Sequence, residues 1–97
     1  MRYVYVCSAI RGIITENISR LKAYTDYIMK NGKAPVLPFS HEKGCNSLVF
    51  ICDELWVFGD YHTREMVREI NLAKSINIKV KYISDSEVYK FEQEKDS

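Results

Sequence analysis

Two residue patterns alternate along this chain, and their alternation restricts the fold more than any single motif does. Residues 2–7, Ala34-Pro-Val-Leu37, Leu55-Trp-Val-Phe58 and Ile78-Lys-Val-Lys-Tyr-Ile83 are short runs of β-favouring residues. Between them lie segments with helical periodicity or turn chemistry. Repeated strand–helix units joined by right-handed crossovers make a parallel sheet. The expectation is therefore an α/β domain with four parallel strands in the order 2-1-3-4. The strand order then reverses between the first and third strands, where such sheets bind ligands.

The helical segments carry their own signals. Apolar residues recur at Ile14, Ile18, Leu21, Tyr24 and Ile28, and Asn31-Gly32 supplies a stop. The proline in the second run points to a strand start or an edge position. Ser47 to Cys52 reads as a brief helix after a turn-rich, polar stretch from 38 to 47. Thr63 is placed to cap a helix whose core face is Met66, Ile70, Ala73 and Ile76. Ser84 to Glu87 starts a last short helix before a charged, frayed tail from about residue 90.

Ninety-seven residues hold one domain. A net charge of +1 lacks the basic surplus of a non-specific DNA binder, which argues against a nucleic-acid partner. Cys7, Cys45 and Cys52 form no Cys-x-x-Cys pair, so no metal or other cofactor is expected. Cys7 and Cys52 sit in apolar runs and read as small core residues. The chain enters a strand directly, without a signal-peptide pattern or an apolar run of membrane-spanning length. The expected setting is soluble, reducing and cytoplasmic, with no membrane partner.

Two segments run from a strand straight into a turn: Tyr5-Val-Cys-Ser-Ala-Ile-Arg-Gly12, and Asp53-Glu-Leu-Trp-Val-Phe-Gly59 followed by the helix that carries Glu69. In the expected sheet both turns open onto one edge. The first offers backbone N–H groups and an arginine, whose planar donor fork suits phosphate. The second offers a carboxylate.

In these residues the chain resembles the nucleoside 2-deoxyribosyltransferase-like superfamily, which includes 2′-deoxynucleoside 5′-phosphate N-hydrolases and small bacterial and phage relatives. The resemblance runs from Tyr3 to about Ile83. The first segment is similar to the hydrolases' aromatic-x-Cys-Gly-Ser-Ile-Arg-Gly loop. Thr63-Arg-Glu65-Met-Val-Arg-Glu69 stands where the family carries Ser-x-Gly-x-x-x-Glu. The resemblance implies a flavodoxin-like, three-layer sandwich, a homodimer or larger assembly, and cleavage of the N-glycosidic bond of a 2-deoxynucleoside or its 5′-phosphate. It makes Glu69 the nucleophile and Tyr5 the residue that orients it. Ile10, Arg11, Gly12 and Thr63 fall at phosphate-loop and phosphate-binding positions, and Ser8 lies in the same loop. Ser8 and Ala9 replace the loop's Gly-Ser, and Glu65 replaces a glycine. The segment from Pro38 to Phe50 is shorter than in close relatives and has no match for the acidic residue usually supplied there.

Each of these residues also has a plainer reading. Glu69 on an amphipathic helix is by default a solvated charge, and Tyr5 in an apolar strand a core tyrosine that needs a hydrogen-bond partner. Asp60 is placed to reach the sugar hydroxyls, and turn chemistry explains it equally. Asp53 reads as a structural strand start that bonds nearby N–H groups, and Trp56 as core. His41, Cys45 and His62 read as loop or turn residues, and one face of the helix carrying Tyr24 and Tyr27 offers a dimer contact.

Three functions remain open at this point. The first is a nucleoside or nucleotide-binding protein that cleaves the N-glycosidic bond through Glu69. The second keeps the pocket without the chemistry, binding or sequestering a nucleotide-like ligand. The third is a structural module acting through protein contacts.

Overall fold

The computed structural model describes residues 2–9, 15–37 and 45–95. The chain runs β1 (Tyr3–Cys7), α1 (Thr15–Lys30), β2 (Ala34–Val36), a 3-10 helix (Cys45–Ile51), β3 (Glu54–Phe58), α2 (Arg64–Ser75), β4 (Lys79–Ile83) and α3 (Asp85–Lys95). The four strands are all parallel and lie in the order β2-β1-β3-β4. This is the expected α/β, flavodoxin-like arrangement, with its switch point between β1 and β3.

The sequence explains which strands are central. Every residue of β3 is buried, as are Val4 to Cys7 of β1, because both strands are covered on two faces. Strand β2 is short and carries Pro35, which has no N–H to donate and therefore suits an edge. Strand β4, the other edge, exposes Lys79 and Lys81, charges that discourage pairing with a further strand. Asp53 joins the starts of β1 and β3: its carboxylate accepts from the Tyr3 N–H at 2.8 Å, and its own N–H donates to the Tyr3 carbonyl at 2.8 Å.

Alternation along the strands divides the core in two. Val4, Val6, Trp56 and Phe58 meet Ala23, Tyr24 and Ile28 of α1 and Val88 of α3. Tyr5, Cys7, Leu55 and Val57 meet Met66, Ile70 and Ala73 of α2, with Val49 and Cys52 beside them. The result is three layers, with α1 and α3 on one face and α2 with the 3-10 helix on the other. Covering opposite faces as the chain moves outward in opposite directions keeps the crossovers of one hand.

Several local expectations change. Ile18 is exposed, so the inward stripe of α1 among the described residues begins later, with a half-buried Leu21 and then buried Ala23, Tyr24 and Ile28. Gly32 has φ +76° and ends α1 as a left-handed cap. Tyr24 and Tyr27 both pack against the core. Tyr24 stacks on Phe58 at 4.5 Å between ring centroids, and Tyr27 sets its edge against Trp56, Phe58 and Phe91. The brief helix is a 3-10 segment that starts at Cys45. Helix α3 continues to Lys95 instead of fraying near 90. No described helix is long and apolar enough to cross a membrane.

Candidate functional site

Strand β3 ends at Phe58, and Gly59 turns the chain with φ +92°. Asp60, Tyr61 and His62 follow, all exposed. Thr63 then caps α2: its hydroxyl oxygen accepts from the Met66 N–H at 3.2 Å, while the Thr63 N–H donates to Met66 Sδ at 3.3 Å. This reciprocal capping fixes where the helix starts, and so which residues face the sheet. Glu69 lies six residues beyond the cap, about 9 Å along the helix axis.

The stripe Met66, Glu69, Ile70, Ala73 is buried as a unit. Its spacing of three, four and seven residues is that of a single helix face. Glu69 is therefore no solvated surface charge; it is 1% exposed. Its carboxylate is met from β1, where Tyr5 and Cys7 point to the same face because they are two residues apart. The Tyr5 hydroxyl donates to Glu69 Oε2. Cys7 Sγ lies 3.6 Å from Glu69 Oε1 and 3.7 Å from the Met66 carbonyl oxygen. Tyr5 starts about 6.6 Å further from the strand end than Cys7, and its longer side chain brings both donors to one carboxylate.

The other expected site residues distribute around this pair. Ser8 follows β1 directly and is buried, and Ala9 after it is exposed. Ile10, Arg11 and Gly12 lie outside the described residues, as do Ile14 and His41. Glu65 sits exposed in the first turn of α2. Asp60 turns toward β4, where it lines a shallow depression of about 300 Å³ with His62, Tyr82, Ser84 and Glu87. The depression and the Tyr5–Glu69 pair thus lie on different sides of the β3–α2 turn. The His62 ring stands 6.1 Å from that of Tyr82. Among the described residues, no three His, Cys, Asp or Glu side chains gather as metal ligands.

Comparison with protein-family models, with curated proteins and with solved structures finds no match to this chain.

Two features escaped sequence reasoning. Cys7 was expected only as a small core residue, and it is also in contact with Glu69. The signal was present, since Cys7 and Tyr5 share a strand face. The second is Glu54, buried on the opposite face of the sheet. Its carboxylate accepts from Lys33 Nζ at 2.5 Å and from Trp56 Nε1 at 3.1 Å. Burial pushes this carboxyl up, but the bonds from Lys33 and Trp56 and the nearby Lys33 and Lys79 charges outweigh it and hold it below the usual range. Glu54 belongs to the scaffold: it anchors the start of β3 to the turn before β2.

Proposed function

We propose that this protein binds a 2-deoxynucleoside or its 5′-phosphate at the β1/β3 edge and cleaves the N-glycosidic bond, with Glu69 as nucleophile and Tyr5 orienting it. The observation that carries the reading is the Tyr5–Glu69 hydrogen bond at a carboxylate buried beside the switch point. A buried carboxylate is costly unless bonded, so its retention there calls for an explanation. A retaining glycosidase provides one, because its oxocarbenium-like transition state needs an adjacent carboxylate.

In this mechanism a Glu69 oxygen forms a bond to the anomeric carbon as the bond from that carbon to the base nitrogen breaks. The base leaves with the electron pair and takes a proton from water. The hydroxide left by that water then displaces the Glu69 oxygen from the anomeric carbon, releasing the sugar and restoring the carboxylate. Ile10, Arg11 and Gly12 hold the 5′-phosphate, with Ser8 and Thr63 at its margin; Asp60, in the depression on the other side of the β3–α2 turn, takes no part. The family resemblance also carries a homodimer or larger assembly, and the cysteine usage of the sequence a cytoplasmic setting. The test is hydrolysis of a panel of deoxynucleosides and their 5′-monophosphates, followed by base release. Glu69→Gln abolishes release under this reading, and release at the wild-type rate in that variant rejects it.

A second reading is favoured by the 1% exposure of Glu69 and by Glu65 in the first turn of α2. Here the site binds a nucleotide-like ligand without cleaving it, and the Tyr5–Glu69 bond braces α2 against β1. Calorimetry that shows saturable binding with no base release selects this reading over the first.

A further inference from the structure

The glycosidase reading uses Tyr5 and Glu69 and leaves Cys7 unassigned. Cys7 is fully buried and sits between Met66 and Glu69 of α2. A thiol has one proton and donates weakly. Among the described residues, the Glu69 Oε1 at 3.6 Å and the Met66 carbonyl at 3.7 Å lie within sulfur hydrogen-bond distance. A carboxylate is the stronger acceptor of the two.

Tyr5 already binds the other carboxylate oxygen, Oε2. The terminal torsion of a carboxylate is broad and roughly two-fold. A second donor at the other oxygen removes that freedom. The apolar neighbours on this face include Val49 and Cys52 near the 3-10 helix, and Leu55 and Val57 of β3. The Cys52 thiol donates elsewhere, to the Leu48 carbonyl at 3.3 Å.

We propose that Cys7 is a positioning residue for Glu69: its thiol donates to Oε1 while Tyr5 holds Oε2, and the two bonds from one strand set the plane of the attacking carboxylate. The catalytic part of this proposal rests on the glycosidase reading, and the contact itself does not. A weak donor suits the role, because it orients an oxygen while leaving its lone pairs largely available for attack.

The contact is read without turnover. The thiol S–H stretch falls in an infrared window that other protein groups leave clear. Subtracting the Cys7→Ala spectrum from that of the wild type isolates the Cys7 band. In Glu69→Gln, whose amide accepts more weakly, the band moves to higher frequency. A band that stays in place shows that the thiol serves the Met66 carbonyl and overturns the proposal.

The role is read by kinetics. Cys7→Ala removes the donor and adds no bulk at this fully buried position. It lowers kcat about ten-fold while KM stays within about two-fold, as expected for one lost orienting bond. Cys7→Ser, which restores a donor, recovers part of the loss at equal thermal stability. Equal kcat in wild type and Cys7→Ala overturns the proposal even if Glu69 proves to be the nucleophile. Absence of base release by the wild type rejects the glycosidase reading instead, and the infrared band then decides whether Cys7 orients Glu69.

Discussion

Replacing Tyr5 by phenylalanine removes one oxygen from a fully buried ring and little else. Tyr5 and Glu69 are 0% and 1% exposed, so water does not take over the lost bond to Oε2. A hydrogen bond to a charged acceptor contributes about 1.5–3 kcal/mol, so Tyr5→Phe is expected to lose about 2 kcal/mol. With a urea slope of about 2 kcal/mol per molar, typical of small domains, the unfolding midpoint falls by roughly 1 M. Glu69→Gln and the double variant complete a thermodynamic cycle that isolates the pair from any change in packing. The expected coupling energy is about 1–2 kcal/mol, well above the roughly 0.3–0.5 kcal/mol scatter of independent sites. A cycle that closes within that scatter would refute the claim that this bond pins α2 to β1.

Two further perturbations test the frame around the site. Glu54 has a carboxyl held below its ordinary value, so its contribution is present above the unfolded value of about 4.3 and is lost as pH falls through the folded one. Glu54→Gln should therefore flatten the acid limb of the stability profile, measured by urea unfolding at stepped pH; an unchanged limb contradicts that assignment. At Gly59 an added Cβ meets Tyr24 Oη at 3.7 Å and the Asp85 carboxylate at 3.8 Å, which are ordinary contacts. The cost of Gly59→Ala is therefore backbone strain at φ +92°, about 1–2 kcal/mol. Calorimetry should show a melting temperature lower by roughly 4–8 °C for each kcal/mol.

The fold was legible because its signals are local and repeated. Each strand announces itself through β-branched and aromatic runs, and α2 through a cap and an apolar stripe that agree. Edge and centre were also readable, from Pro35 in one edge strand and the unbroken Leu55-Trp56-Val57-Phe58 run in the middle. The tail misled because composition outweighed spacing. Val88 and Phe91, three residues apart, share one face of α3; Val88 is buried in the α1-side core and Phe91 meets Tyr27. That face holds the helix to Lys95 despite its charged residues.

The site was legible in a different way. Glu69 looked like a surface charge by residue type, yet its place within Met66, Ile70 and Ala73 puts it on the buried stripe. Type and spacing disagreed, and such disagreements mark sites more often than scaffold. The pairing with Tyr5 was implied by the family resemblance and by no local pattern, because it depends on the register of β1 beside β3 under α2. The Cys7 contact depends on the same register.

The most direct test of the central claim is the covalent intermediate. Wild-type protein is mixed with deoxynucleoside 5′-monophosphates, quenched in acid within milliseconds to seconds, and measured by intact-protein mass spectrometry with peptide mapping. A nucleophilic Glu69 predicts an added deoxyribosyl 5-phosphate mass on the peptide that carries it, absent in Glu69→Gln. Base release that proceeds at the same rate in Glu69→Gln, or an adduct mapped to any other residue, contradicts it.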